Sequence, residues 1–143
     1  MGRTFSFAIL CLAVVVTASP TLADGSSRPY GGGGRINAGA IIAQYNKSGE
    51  RFRIEGSCQS SCTMLLAIKN VCVDPSATLR FHAALFPNEI GQKPPPARQA
   101  QMLASYKPKL RQYLVKNGYV ETFTFHDISG SDVIQKFGYR ACP

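Results

Sequence analysis

The chain has 143 residues, 45% of them hydrophobic, and a formal net charge of +8 at pH 7. This length allows one domain with a hydrophobic core, and the positive charge favours acidic partners or surfaces. The basic residues are scattered and lack the aromatic-interleaved motifs of nucleic-acid-binding proteins, so we exclude nucleic acid as the expected partner.

The first 23 residues have the three parts of a secretory signal peptide. Arg3 precedes an apolar run over residues 5–16, and Ala23 ends a small-residue cleavage site. The apolar run is too short for a stable membrane span. We therefore expect a periplasmic or secreted protein, cleaved after Ala23.

The mature chain is predicted to begin with a polar, flexible segment over residues 24–30, followed by four glycines at 31–34. Apolar residues then recur with a helical period over residues 36–45, and Ser48 and Gly49 supply a stop. Glycines directly before a helix can form a corner in which backbone amides bind an anion, although a flexible linker is the alternative. We expect a single domain over residues 31–143.

A candidate nucleophile follows the next predicted element. Residues 51–55 alternate between apolar and polar side chains and predict a strand, and small polar residues then lead into an apolar helical run at 64–68. Ser60 would lie at the N-terminus of that helix, where unpaired amides and the helix dipole favour negative charge. A helix-capping serine is the alternative interpretation, and Ser61 fits either role.

Two further short strands are predicted at residues 71–73 and 78–82, and the second ends in His82. A serine and a histidine at the carboxyl ends of neighbouring strands supply a nucleophile and a general base. A strand-end histidine bonded to backbone is the alternative, and His126, beside Asp127, is a second candidate base.

The rest of the chain alternates predicted helices and strands. Helices are predicted at residues 97–106, 108–116 and 129–137, and strands at 120–125 and 139–142. Pro108 suits a first helical turn, Ser129 suits a cap, and Gly118 and Gly138 suit helix ends. The order of the elements predicts an α/β fold.

Four cysteines remain after cleavage: Cys58, Cys62, Cys72 and Cys142. An even number in an exported chain predicts two disulfides, for which three connectivities exist. The alternative is a zinc site in which Cys58, Cys62 and Cys72 bind together with His82. Zinc ligands usually come as two close pairs and this spacing offers one, so we predict disulfides and no metal.

Four segments resemble, in the same order, motifs of the proteolytic subunit of the Clp protease, a family of the crotonase-like superfamily. Residues 31–39 (GGGGRINAG) resemble its SPGGVITAG, and residues 59–67 (QSSCTMLLA) are similar to its ASMGAFLLA. Residues 80–84 (RFHAA) resemble its MIHQP, and residues 128–140 (ISGSDVIQKFGYR) resemble its LSAPEAVEYGLVD. Together the segments cover most of residues 31–140.

The resemblance implies a crotonase-like fold of strand–helix–strand units and the activity of a serine peptidase or hydrolase. Carried over position by position, it makes Ser60 the nucleophile, His82 the general base, and the Gly33 and Ser61 amides the oxyanion hole. The acidic third residue falls in a region of weak match, for which there are three candidates: Asp127, Glu121 and Asp132.

The chain also departs from the family. The family has a longer segment before its glycine motif, so the resemblance implies a domain shortened at its N-terminus. Cys58 and Cys62 stand where the family has small residues, which indicates an exported variant held by disulfides. In a right-handed strand–helix–strand unit, residues just past strand 51–55 approach the far end of strand 71–73. This fold predicts the pairs Cys58–Cys72 and Cys62–Cys142.

Two functions therefore stay open. The first is an exported serine peptidase or hydrolase with a Ser–His dyad or triad that acts on a peptide or protein substrate. The second is a degenerate crotonase-like domain of the periplasm that binds a partner without chemistry. Either is compatible with an oligomer, and neither requires a cofactor.

Overall fold

The computed structural model describes residues 24–143, so the signal peptide expected at residues 1–23 lies outside the described residues. The helices are α1 (Ala38–Ser48), α2 (Pro96–Ala104), α3 (Pro108–Lys116) and α4 (Gly130–Phe137). The strands are β1 (Gly25–Ser26), β2 (Phe52–Ile54), β3 (Ser57–Gln59), β4 (Val71–Val73), β5 (Thr78–Phe81) and β6 (His126–Ser129). Within residues 24–143, no helix is long and apolar enough to cross a membrane.

The strands form two three-stranded sheets. The first has the order β1–β2–β4, with both pairs parallel. The second has the order β3–β5–β6, in which β3 is parallel and β6 antiparallel to β5. Between β2 and β3 the chain passes from one sheet to the other at Gly56, whose φ of +64° suits a residue without a Cβ. The predicted α/β class is confirmed, and the crotonase-like fold within it stays a prediction.

A hydrophobic core joins both sheets to the helices. Phe52 and Ile54 of β2 are fully buried, while Arg53 between them is partly exposed, as the alternation along this strand predicts. One connected cluster includes these side chains and buried residues from the second sheet and the helices: Leu65, Leu79, Phe81, Leu110, Leu114 and Val133.

The predicted end of α1 and both predicted ends of α4 are confirmed by their caps, whereas α1 begins after Asn37 and not at residue 36. The Asn37 side chain accepts the Ala40 N–H at 3.1 Å, and α1 stops at Gly49, which has φ +74°. The Ser129 hydroxyl accepts the Asp132 N–H at 3.1 Å, and α4 likewise stops at a left-handed glycine, Gly138. These side chains satisfy amides and carbonyls that have no partner within the helix.

The segment predicted to be flexible, residues 24–30, instead contains β1 and a 3-10 turn. Ser27 is fully buried, and its hydroxyl donates to the Glu55 carbonyl at 3.1 Å. The Ser26 hydroxyl donates to the Glu55 carboxylate at 2.6 Å, and this bond lowers the pKa of Glu55. Polar residues therefore hold this segment against β2, because their hydroxyls replace water as hydrogen-bond partners.

Three other elements differ from their predictions. The apolar run behind Ser60 forms a 3-10 helix, Ser60–Ala67, rather than an α-helix. Residues 120–125 form a turn, bends and irregular backbone with no strand pairing, and the strand begins later, at His126, where the chain pairs with β5. The closing strand predicted at 139–142 is reduced to one parallel bridge between Val73 and Ala141.

The predicted disulfide pairing is wrong. The bonds are Cys58–Cys62, with Cα atoms 5.4 Å apart, and Cys72–Cys142, with Cα atoms 4.8 Å apart. The prediction assumed that the chain runs from β2 straight into a helix and then to β4. Instead it enters β3 of the other sheet, which separates Cys58 from Cys72. The bridge at Ala141 then places Cys142 beside Cys72.

Candidate functional site

Ser60 lies at a sharp turn between β3, which ends at Gln59, and the 3-10 helix. Its φ is +55°, and no other non-glycine residue within 24–143 has a positive φ. The left-handed conformation costs a residue with a Cβ about 1–2 kcal/mol. Such strained positions are concentrated at functional sites, where the surrounding structure holds them. The conformation of Ser60 thus indicates that this turn is a candidate catalytic site.

The register of the second sheet brings Ser60 and His82 to the same edge. In the parallel pair β3 and β5, Gln59 lies opposite Arg80. Ser60 follows Gln59 directly, and His82 follows Arg80 by two residues, so both lie at the carboxyl ends of adjacent strands. Both residues also line one cavity of about 730 Å³. The structure therefore places the predicted nucleophile and base on a common cavity.

The glycine run packs against the Ser60 turn at backbone distance. A Cβ built on Gly33 would lie 2.5 Å from the Gln59 carbonyl oxygen and 2.7 Å from the Ser60 Cβ. Gly33 also has φ +67°, which glycine adopts at the least cost. A side chain at this position would push the turn away, so the run acts as a support for Ser60 rather than as a linker.

Three hydrogen bonds fix this contact. The Gln59 N–H donates to the Gly31 carbonyl at 3.0 Å, and the Gln59 side-chain amide donates to the Gly32 carbonyl at 2.9 Å. The Ser61 hydroxyl donates to the Gly34 carbonyl at 2.6 Å. The residues on both sides of Ser60 are therefore tied to the glycine run, which holds the turn in place.

The two serines differ in the state of their hydroxyls. The Ser61 hydroxyl proton is engaged by Gly34, whereas the Ser60 hydroxyl has no hydrogen-bond partner among residues 24–143 and lines the cavity. Ser61 contributes in another way, because its amide is the second of the 3-10 helix and has no acceptor within that helix. The geometry favours Ser60 over Ser61 as a reactive group.

The Gly33 amide, predicted as an oxyanion-hole donor, is already engaged: its N–H donates to the Tyr30 carbonyl at 2.8 Å. The next residue, Gly34, has φ +82° and lines the cavity. Its N–H has no acceptor within the described part of the chain. The amides available to an oxyanion are thus those of Gly34 and Ser61.

His82 is almost completely buried, with 5% of its surface exposed. The Phe123 and Phe125 rings each lie 4.7 Å from its ring, centroid to centroid. Its Nδ1 atom is buried and has no hydrogen-bond partner among the described residues. Burial lowers the pKa of His82, and the nearby Ala83 backbone offsets part of this effect. The imidazole is therefore neutral at pH 7 and able to accept a proton.

None of the three predicted acids contacts His82 within the described structure. Asp127 accepts a hydrogen bond from Arg80 Nε at 2.8 Å on the outer side of the strand pair. Asp132 pairs with Lys136 at 2.9 Å. Glu121 is exposed and lies near Gly118. Asp127, the expected triad acid, is thus paired with Arg80. The neighbours of the His82 ring are the aromatic rings of Phe123 and Phe125.

The alternative base, His126, lies outside the cavity. Its ring stacks on Tyr119 at 4.2 Å with an interplanar angle of 14°. It opposes Phe81 in the antiparallel pair of β5 and β6. His126 and His82 are therefore in different surroundings, and the geometry selects His82.

All four cysteine sulfurs are committed to disulfides, so the alternative zinc site is wrong. Within residues 24–143 no cluster of three or more His, Cys, Asp or Glu is placed to hold a metal ion. The disulfides agree with export to an oxidising compartment. The Cys58–Cys62 bond brackets Ser60 and therefore contributes to the rigidity of the turn.

Another part of the cavity lining was not predicted from the sequence. This lining is mostly apolar, and it includes two arginines, Arg35 and Arg98, that both lie against Phe86. Their guanidinium carbons lie 4.9 and 4.5 Å from the Phe86 ring centroid. These residues come from a loop, a helix and a second loop, and no local pattern connects such positions in a sequence.

Neither a protein-family model, nor a curated protein, nor a solved structure matches this chain. The resemblance to the Clp protease subunit therefore rests on the ordered motifs of residues 31–140.

Proposed function

We propose that this protein is an exported serine hydrolase of the peptidase type, in which Ser60 is the nucleophile and His82 the general base. The observation that carries the proposal is the left-handed conformation of Ser60 at a strand-to-helix turn that opens into the cavity of His82. A nucleophilic serine gains from this position, because the strained turn exposes the hydroxyl and leaves helix amides beside it.

The chemistry follows the usual route of acyl transfer. The Ser60 hydroxyl and His82 form no hydrogen bond in the described structure, so the first step requires the two groups to come within hydrogen-bond reach when substrate binds. His82 then removes the Ser60 proton as Ser60 Oγ attacks a carbonyl carbon, and the carbonyl oxygen becomes an oxyanion held by the Gly34 and Ser61 amides. Collapse of this intermediate expels an amine or alcohol, which receives the proton from His82. Water then attacks the acyl-enzyme, with His82 again taking and returning a proton, to release the acid and free Ser60.

The surroundings of His82 support a dyad. No carboxylate orients the imidazole within the described structure, and the two phenylalanine rings restrict its rotation instead. Loss of the acid from a complete triad costs about 10⁴ in rate. We therefore expect slow turnover, with reactivity toward strongly activated electrophiles retained.

A fluorophosphonate probe tests the proposal on the purified mature protein, since only an activated serine is labelled. We expect labelling of the wild type, none of Ser60→Ala, and labelling of the matched control Ser61→Ala, because its free amide remains. Labelling that survives in Ser60→Ala and disappears in Ser61→Ala would move the nucleophile by one residue. Circular dichroism of each variant checks that the fold is intact.

One observation favours the second candidate function, a degenerate domain that binds a partner without chemistry. The buried Nδ1 of His82 has no partner among residues 24–143, whereas a working base is normally oriented by a third group. This candidate predicts that the wild type and Ser60→Ala are equally inert toward the probe while the cavity still binds a ligand.

A further inference from the structure

The cavity beside Ser60 carries positive charge. Its lining includes Arg35 and Arg98 and, among the described residues, no Asp or Glu. The two guanidinium groups lie against the same ring, Phe86, which is only partly buried. Cation–π contacts of this kind favour the placement of an arginine over the ring without neutralising its charge.

The two arginines differ in what they are free to bind. Arg98 forms a forked pair with Glu89, with Nη1 and Nη2 at 2.5 and 3.1 Å from the carboxylate oxygens, and it also donates to the Ala84 carbonyl at 3.2 Å. The hydrogen bonds from Arg98 lower the pKa of Glu89, and the positive charge of Arg98 is thereby balanced by the Glu89 carboxylate. Arg35 forms no ion pair within residues 24–143, although its charge lies near enough to Glu89 to contribute to the lowered pKa of that carboxylate.

The remainder of the wall suits an apolar group. Ile36, Met64, Leu85 and Met102 line the cavity together with the Phe86 ring. Met and aromatic side chains adapt to differently shaped apolar ligands. The cavity lining therefore combines apolar surface with the exposed guanidinium of Arg35, which has no ion pair among the described residues.

We infer that this cavity binds ligands in which an apolar group lies next to a carboxylate, and that Arg35 receives the carboxylate. A guanidinium matches a carboxylate because its fork donates two parallel hydrogen bonds. An acyl chain with a terminal acid and an apolar peptide with an acidic side chain share this chemistry. The inference rests on the proposed function for the identity of the site, since it names the substrate class of the Ser60 centre.

Equilibrium binding to Ser60→Ala tests the inference apart from catalysis. The probes are 11-(dansylamino)undecanoic acid and its primary amide, and dansyl-Leu-Leu-Glu-amide and dansyl-Leu-Leu-Gln-amide. Each pair differs by one negative charge, and dansyl fluorescence reports entry into an apolar site. The two pairs distinguish an acyl chain from a peptide as the source of the carboxylate.

We expect the acid of at least one pair to bind about five to ten times more tightly than its amide, a typical factor for a charge-assisted hydrogen bond. Adding Arg35→Ala should remove this preference, and Arg35→Lys should restore part of it. Lys116→Ala, which removes the same charge from an exposed position outside the cavity, should retain it.

Three results would overturn the inference: equal binding of acid and amide in both pairs, an acid preference that survives in Arg35→Ala, or an equal loss of preference in the Lys116→Ala control. Fluorophosphonate labelling of the wild type is measured in parallel. An acid preference with no labelling would retain the ligand site and refute the proposed chemistry. Labelling without an acid preference would support the proposed chemistry and refute the carboxylate site.

Discussion

Gly33 and Ser60 lie so close together that the glycine position has no room for a side chain, since a Cβ there would lie 2.7 Å from the Ser60 Cβ. This contact joins the glycine run to the strained turn across 27 positions of sequence, the same separation as in the bond between Ser61 and Gly34. The conformation of Ser60 therefore depends on a segment that precedes α1.

The contact predicts different effects of alanine at two neighbouring glycines. Gly33→Ala should lower the free energy of unfolding by about 2–4 kcal/mol, because a backbone clash adds to the cost of a positive φ. Gly34→Ala should cost about 1–2 kcal/mol, because its φ is also positive but nothing lies within 4 Å of its Cβ position. Urea unfolding of both variants measures the difference. Equal losses would show that the turn yields to the added methyl group.

The disulfides predict an order of stabilisation. Replacing both cysteines of Cys72–Cys142, which are 70 positions apart, should cost about 4 kcal/mol from loop-closure entropy. Replacing both cysteines of Cys58–Cys62, which are 4 positions apart, should cost about 2 kcal/mol and reduce the reactivity of Ser60. Non-reducing peptide mapping verifies the pairing first. Recovery of Cys58 linked to Cys72 would contradict the fold at β3.

The burial of His82 predicts that the free energy of unfolding depends on pH. Burial lowers its pKa in the folded state, so below the ordinary histidine value of about 6.5 the unfolded chain binds more protons than the folded one. The stability linked to neutral His82 is complete above that value and is lost as the pH falls toward the folded pKa. The free energy of unfolding should therefore decrease from pH 7.5 to pH 5.

The slope should flatten in His82→Gln and persist in the control His126→Gln, whose half-exposed ring stacks on Tyr119. Urea unfolding between pH 5 and pH 7.5 measures both, above the range in which carboxylates titrate. In the active protein, the acidic limb of the rate profile should also lie below the usual histidine range. An unchanged slope in His82→Gln would show that His82 is not the linked group.

Asp127→Asn separates the structural role of this residue from a catalytic one. Its carboxylate pairs with Arg80 at the surface, so the substitution should cost less than about 1 kcal/mol of stability. The rate of fluorophosphonate labelling should stay within about twofold of the wild type, whereas loss of a triad acid costs about 10⁴. A large drop in labelling would restore Asp127 as the acid and require β6 to rearrange on ligand binding.

Local patterns in the sequence were sufficient for the elements that depend on neighbouring residues. The end of α1 follows from Gly49, and both ends of α4 follow from Ser129 and Gly138, because a cap satisfies amides and carbonyls within a few positions. The strands at 52–54 and 71–73 follow from their buried side chains. The α/β class follows from the order of these elements.

Sequence patterns alone therefore predicted the type of most elements and the formation of two disulfides, whereas the way in which these elements combine depends on contacts that only the folded chain makes. The turn at Gly56 moves Cys58 into the second sheet and changes both disulfides. The Gly33 amide donates to the Tyr30 carbonyl, and Asp127 forms an ion pair with Arg80, so neither residue has the role predicted for it. Such choices are made between residues far apart in sequence, where competing partners of similar chemistry are separated only by the path of the backbone.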